Sequence, residues 1–556
     1  NNNGQDFEHL VSYFSSFGLS INQIVKIEKE YQEQAIELVS ENPYRLLEDI
    51  VGIGFKTCEK LAKNMSFDYT SPYRGQALII DYVLNYMAQT GDTYLSLALL
   101  QSHMEKKHSE YNFMECLSQV LMRRTLIMDA DNVFHHTQYD SDKTISYVLN
   151  TFPNNPLAKT SDDKILEIIA EIEADINIEY DQSQKDAILS FVNSDLSILT
   201  GGPGTGKTTI VNAMVLIYKK LYPEINIALT APTGRAAKRL SDLTDTDAFT
   251  IHSLLKWDMD NNSFGQNQDE PLNYDILVID EFSMVDQWLF AKLLEACGIV
   301  KKILIVGDEN QLPSVLPGAL LRDLILTNSF PVVKLEKIYR QKDGSSVIYL
   351  ADNIVHNRFD DFEFKDEVRF FDTSEQHVDN IVLQIVENYI ANGYTIDDIQ
   401  LLAPMYRNAS GINILNNKVQ ALLNPPAKDK KEYRYGYHTF REGDKVLQLK
   451  NLVDLEVYNG DIGFILEIDD SNPQDIKVLV DFDGNIVEYT GDTMNYLSFA
   501  YCISIHKSQG SEYPIVIIPI VKSASYMLRK RLLYTAITRS KKNLLLVGSQ
   551  SLFMER

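Results

Sequence analysis

At 556 residues the chain is too long for one hydrophobic core and implies about three to five domains. Its 45% hydrophobic and 23% charged residues are those of a globular protein, not of a fibre or a disordered tail. A formal charge of −25 argues against a protein that coats nucleic acid non-specifically, because steering toward a polyanion would be unfavourable. A narrow basic channel stays open. Arg235/Lys238/Arg239, Lys334/Lys337/Arg340 and Arg529/Lys530/Arg531 are its candidate linings, with solvated faces as the alternative.

Four scattered cysteines, Cys58, Cys116, Cys297 and Cys502, point to neither a zinc site nor a disulfide framework, and free core thiols in a reducing cytoplasm are the simpler account. No apolar run approaches the roughly 20 residues that span a bilayer, and the polar start Asn1-Asn2-Asn3-Gly4 is no signal peptide. The missing initiator Met suggests a start inside a longer chain.

Residues 19–63 carry apolar positions at helical spacing, with Ile24, Ile27, Tyr31 and Ile36 among them. They lead into Val51-Gly52-Ile53-Gly54-Phe55-Lys56. This hydrophobic-Gly-hydrophobic-Gly turn between helices resembles the helix-hairpin-helix motif, whose backbone amides at Gly52 and Gly54 would meet a DNA phosphate. A plain helical corner is the alternative. Residues 1–72 are read as this region, and Pro72 marks its end. Three helical stretches then precede two short apolar runs around Asp129-Ala130-Asp131-Asn132, so residues 73–150 resemble a winged-helix module or, equally, a packing domain. Residues 141–175 read as a connector followed by a helix over Lys164–Ala174.

From 151 to 330 short β-type runs alternate with helices, which predicts a mostly parallel sheet covered on both faces. One strand-to-helix turn reads Gly201-Gly202-Pro203-Gly204-Thr205-Gly206-Lys207-Thr208-Thr209. Its glycines let backbone amides wrap a pyrophosphate at the positive end of the helix dipole. Lys207 would reach the β- and γ-phosphates and Thr208 would hold Mg²⁺. The run Leu277-Val278-Ile279 ends in Asp280, a second candidate Mg²⁺ ligand, and Glu281, placed to orient and deprotonate a water. A third run, Ile303–Val306, leads to Gln311, whose neutral amide could detect the γ-phosphate.

A second alternating block covers 331–556. Hairpin-like strands at about 430–495, over Lys445–Lys450, Val457–Ile468 and Ile476–Asp481, predict a small inserted β-barrel.

In order, these stretches resemble superfamily 1 helicases, specifically the RecD-like ATP-dependent DNA helicases of the branch that moves 5′ to 3′. Tyr180-Asp181-Gln182-Ser183-Gln184 looks like the adenine-reading segment, with Gln184 as reader. Thr230-Ala231-Pro232-Thr233-Gly234-Arg235 and Thr250-Ile251-His252 look like strand-binding motifs. Leu335-Glu336-Lys337-Ile338-Tyr339-Arg340-Gln341 and Leu533-Tyr534-Thr535-Ala536-Ile537-Thr538-Arg539 would supply Arg340 and Arg539 as arginine fingers. Ile505-His506-Lys507-Ser508-Gln509-Gly510-Ser511-Glu512 completes the series, with Glu512 on the ribose beside Gly510.

The resemblance implies an α/β fold of two RecA-like P-loop motor domains, 151–330 and 331–556. It also implies an SH3-like insertion and a strand-splitting hairpin at about 255–274 around Trp257 and Phe264. Mg-ATP would bind between the motor domains, through residues 202–209 on the phosphate side. Single-stranded DNA would cross both at Pro232, Thr233, Gly234, His252, His506 and Ser508, and duplex with a 5′ tail would be unwound in repair or recombination. The helix-hairpin-helix favours the stand-alone type, without its first small domain. A conjugative-relaxase-type helicase domain and a DNA clamp that does not unwind are the alternatives.

Overall fold

The computed structural model describes residues 2–258, 263–336, 346–358, 362–408, 410–452, 455–472 and 475–555. The helices before Asn64 bury Ile24, Ile27, Val39 and Leu61 in one small core. Within it Gly52, at φ 91°, turns the chain into the helix Phe55–Asn64, which Gly54 opens. A second core around Leu78, Val83, Leu117 and Val133 joins three helices, Pro72–Thr90, Leu97–Lys107 and Phe113–Met122, to a three-stranded sheet. The outer strand of that sheet, Leu95–Ser96, is too short to leave a pattern in the sequence.

The expected connector from residue 141 is instead part of a helix, His136–Thr151. Its residues are mostly polar, so only Ile145, Val148 and Leu149 mark the face that packs into the core holding Leu289 and Phe290. This helix therefore ties the N-terminal region to the first motor domain. The following helix, Asp162–Ile176, buries Ile165, Ile168, Ile169 and Ile172.

Six parallel strands form the first motor sheet: β1 (Leu196–Gly201), β2 (Ile227–Ala231), β3 (Ala248–Thr250), β4 (Ile276–Ile279), β5 (Lys302–Gly307) and β6 (Val332–Leu335). Their spatial order is β6-β1-β5-β4-β2-β3. Both faces are covered, which is why β1, β4 and β5 read as unbroken buried runs. Helix α1 (Lys207–Leu221) follows β1, α2 (Gly234–Thr244) follows β2, and α3 (Leu320–Thr327) precedes β6. The order reverses at β1, so the carboxyl ends of β1, β4 and β5 open onto one crevice.

The second motor sheet has five parallel strands, β7 (Val368–Asp372), β8 (Ile399–Ala403), β9 (Cys502–Ser504), β10 (Tyr513–Ile520) and β11 (Ser540–Gly548), in the order β7-β11-β10-β8-β9. Helix α4 (Lys530–Ile537) runs between β10 and β11.

Between β8 and β9 a five-stranded antiparallel sheet is inserted, from Lys445–Gln448 to Leu497–Phe499. Its long strand starts at Ile462, after the Asn459-Gly460-Asp461 turn, and Val457 makes only an isolated bridge to Leu452. Buried Asp444 fixes the insertion to its host by accepting bonds from Gln420 (2.7 Å), Asn424 (2.8 Å) and Tyr501 (2.8 Å). Lys445 donates to the carbonyls of Ile396 (3.0 Å) and Ile399 (3.1 Å). Among the described residues no helix is long and apolar enough to cross a membrane.

Candidate nucleotide site and nucleic-acid interface

The phosphate loop takes the shape its glycines permit, with Gly204 at φ 73° and Gly206 at φ 86°. Thr205 braces it by donating to the Gly202 carbonyl at 2.8 Å. Lys207 folds its ammonium back onto the carbonyls of Gly201 (2.6 Å) and Gly202 (2.8 Å), bonds a phosphate would replace. In front lies a cavity of about 340 Å³. Pro203, Gly204, Thr205, Gly206, Lys207, Thr208 and Thr209 form its floor, and Asp280, Glu281 and Gln311 one wall. Gly510, Glu512 and Arg539, from the second motor domain, form the other.

Asp280 directly follows β4, and its amide is tied to the Thr230 carbonyl at 2.8 Å. Burial, and then the adjacent Glu281 carboxylate, hold its carboxyl above the usual range, while Lys207 and Arg239 oppose the shift. Its Oδ1 accepts the Glu281 amide at 2.8 Å, and Glu281 sits in the left-handed region at φ 49°, aimed into the same cavity. Among the described residues no three His, Cys, Asp or Glu side chains gather as a metal cage. A divalent ion at Thr208 and Asp280 would therefore draw its other ligands from phosphate and water.

Gln311 is 5% exposed, and its Oε1 has no hydrogen-bond partner. That unmet acceptor on the cavity wall fits a bound ligand or water. Arg539 is 2% exposed and is held by the carbonyls of Thr535 (3.0 Å) and Ser511 (3.0 Å) and by the Thr538 hydroxyl (3.2 Å). It is thus fixed in place before any nucleotide arrives.

One expected residue stands apart from this cavity. Gln184 is buried at the start of the helix Gln182–Asn193, where its side-chain oxygen accepts the Asp181 amide at 3.0 Å in a capping box. It does not line the cavity. Arg340 lies outside the described residues.

Several contacts that the sequence reading did not anticipate join the two lobes. Tyr534 donates to Asp308 at 2.8 Å, and Thr535 accepts the Leu312 amide at 2.9 Å. Arg239 pairs with Glu512 at 3.4 Å, on the carboxylate assigned to the ribose. Arg235 donates to the Ser511 hydroxyl at 2.7 Å. No spacing in the sequence links these pairs; the only signal was the basic cluster Arg235/Lys238/Arg239.

Of the strand-binding candidates, Pro232 and Thr233 lie at the turn from β2 into α2, where Thr233 caps the helix by accepting the Ala236 amide at 3.2 Å. A Cβ on Gly510 would stand 3.5 Å from the Thr233 hydroxyl, so the motifs of both lobes meet here. Gly234 is covered by Tyr458 of the inserted barrel. His252 packs edge-on to Trp257, with ring centroids 6.0 Å apart, beside the strand pair Trp257–Asp258 and Ser263–Phe264. Burial lowers the pKa of both His252 and His506 and keeps them neutral. Ser508 is a correction: it is fully buried, and its hydroxyl donates to the Ile505 carbonyl at 2.7 Å, so it braces the turn and is not offered to a strand. Gly52 and Gly54 are exposed in the separate N-terminal core.

Family profiles match four stretches. These are an ATP-dependent RecD2 DNA helicase HHH domain over 3–94, an AAA domain over 184–317, an ATP-dependent RecD-like DNA helicase SH3 domain over 415–482, and a UvrD-like helicase C-terminal domain over 499–547. The chain is 28% identical to the ATP-dependent RecD2 DNA helicase of Deinococcus radiodurans across 561 residues, 98% of this chain and 74% of that one. It is 29% identical to the RecBCD enzyme subunit RecD of Mycolicibacterium smegmatis over 413 residues, 66% of this chain and 71% of that protein. A chain from a structure of two coordinating Pif1 helicases at forked duplex DNA superposes with a TM-score of 0.42 at 20% identity, over 66% of this chain and 92% of that one.

Two RecA-like lobes, one bearing a phosphate loop and the other an anchored arginine, define a P-loop motor protein. The helix-hairpin-helix, the SH3 insertion and the C-terminal match narrow that class. The chain belongs to the RecD-like superfamily 1 helicases.

Proposed function

We propose that the chain is an ATP-driven motor that moves 5′ to 3′ along single-stranded DNA and unwinds duplex carrying a 5′ tail. The observation that carries this reading is that Lys207 and Arg539, rooted in different sheets, line one cavity. A ligand that needs both draws the lobes together, and its cleavage removes the reason for them to stay closed.

In this reading residues 202–209 cradle the phosphates, Lys207 leaving its carbonyls for the β- and γ-oxygens. Thr208 and Asp280 hold Mg²⁺, which neutralises phosphate charge when bound. Glu281 orients the attacking water and takes its proton, Gln311 reads the γ-phosphate through its amide, and Arg539 stabilises charge on the transferred group. Arg340 is the second finger. Glu512 contacts the ribose, exchanging Arg239 for the sugar hydroxyls, and Gln184 contacts adenine by giving up the Asp181 amide that it accepts in the capping box. Pro232, Thr233, Gly234, His252 and His506 track the strand, the hairpin at 255–274 splits the duplex, and the amides at Gly52 and Gly54 hold duplex phosphates.

Strand displacement on duplexes with a 5′ or a 3′ tail tests the proposal, with Lys207→Ala as control. Unwinding of the 5′-tailed duplex alone, lost in K207A, is expected. Unwinding of the 3′-tailed duplex would overturn the polarity, and DNA-stimulated hydrolysis without unwinding of either would make the protein a clamp.

A further inference from the structure

We propose that the inorganic phosphate formed in the cleft leaves by a rear passage, past Gln311 and between Ser283, Arg322 and Arg531, into a basic vestibule. The inference rests on the reading of the cleft as an ATPase site.

Three spaces lie in series. Gln311 lines both the nucleotide cavity and a neck of about 20 Å³ behind it. Arg322 and Arg531 line that neck and also a vestibule of about 340 Å³, which Lys530 borders as well. The neck has room for about one water, so it is shut to a phosphate ion until its walls move. Those walls come from both lobes, with Ser283, Gln311 and Arg322 on one side and Arg531 on the other. Parting of the lobes after cleavage widens it.

The chemistry of the walls suits an anion in transit. Ser283 Oγ is buried without a hydrogen-bond partner, so the neck holds an unused hydroxyl donor, while Gln311 spends its amide nitrogen on Asp308 at 3.5 Å and leaves its Oε1 free to accept the proton of a hydrogen phosphate. Among the described residues the charged ends of Arg322, Lys530 and Arg531 make no ion pair or hydrogen bond with the protein, so three half-buried or exposed cations are open to an anion entering the vestibule. Burial and the facing Arg322 both disfavour the charge on Arg531, and Glu309 alone opposes them. Two carboxylates, Asp308 and Glu309, also line the neck, and both are already committed. Asp308 accepts from Tyr534 and from the Asn310 amide at 3.0 Å, and Glu309 pairs with Lys334 at 2.9 Å.

The full chain with oligo-dT should be followed by rapid quench for cleavage and by a fluorescent phosphate sensor for release, in the parent, R531M, R322M and the charge-conserving R531K. The expected result is an unchanged cleavage burst with phosphate release slowed about tenfold in R531M and R322M, the scale of one lost charge-assisted contact, and restored toward parent in R531K. Release at the parent rate or faster in both neutral variants would overturn the passage. A parent that cleaves no ATP would instead overturn the ATPase reading beneath it.

Discussion

The Tyr534 phenol of the second motor domain donates to the Asp308 carboxylate of the first at 2.8 Å, one residue from the bond between Thr535 and the Leu312 amide. The loop 308–312 that carries Gln311 is thereby fixed to the helix that leads to Arg539. The residue expected to sense the γ-phosphate and the residue expected to neutralise it are held in register by one short interface.

Tyr534→Phe removes only the hydroxyl. We expect the DNA-stimulated kcat to fall about tenfold, the scale of a hydrogen bond to a charged group, with KM for ATP changed less than about twofold. Steady-state kinetics at saturating oligo-dT checks this, and a KM effect without a kcat effect would count against the coupling.

Arg539→Ala should leave ATP affinity within a few fold while hydrolysis drops by about 10³ or more, as for other arginine fingers. Because Arg539 satisfies the Thr535 and Ser511 carbonyls, the variant should also lose about 1–3 kcal/mol of stability. Arg539→Lys should recover little turnover, since an ammonium cannot fork. Nucleotide binding by fluorescence, turnover, and urea unfolding separate the three statements.

Gly234 admits no side chain while Tyr458 lies over it: a Cβ there would stand 2.2 Å from the ring. Gly234→Ala is expected to push the inserted barrel off α2 and to weaken single-strand affinity. Tyr458→Ala in the same chain should restore part of it, which a double-mutant cycle measures. Additive losses in G234A and Y458A would mean that the two residues act apart.

His135 caps the helix His136–Thr151 through its Nδ1, which accepts the Thr137 amide at 3.4 Å and faces the Thr137 hydroxyl at 2.8 Å. Burial, with His136 adding to it, lowers the His135 pKa to about 4, so the fold needs the ring neutral. The unfolded chain binds this proton near the ordinary pKa of about 6.5. The contribution of His135 is therefore complete above that value and is lost as pH falls from 6.5 toward 4, by at most about 3 kcal/mol and less for the solvated part of the ring. Hydrogen exchange in this helix at pH 7 and pH 5 should show the loss, and His135→Asn, which caps without titrating, should flatten it. An unchanged pH dependence in the variant would remove His135 as the cause.

The chain order of its residues was enough to place the phosphate loop, the acidic pair after β4, the two alternating α/β blocks and the barrel strands, because each rests on local rules. Glycine is needed where φ turns positive, unbroken apolar runs mark strands covered on both faces, and turn residues separate hairpins. The helix His136–Thr151 escaped that reading because its apolar face is only three residues wide amid polar ones. Folding in three dimensions alone decided that Tyr534 reaches Asp308, that Arg239 occupies Glu512, that Ser508 turns inward, and that Arg322 and Arg531 face each other across a neck. Each of these depends on how two separately folded sheets are docked, and docking is set by the summed fit of many side chains, which no short stretch of sequence records.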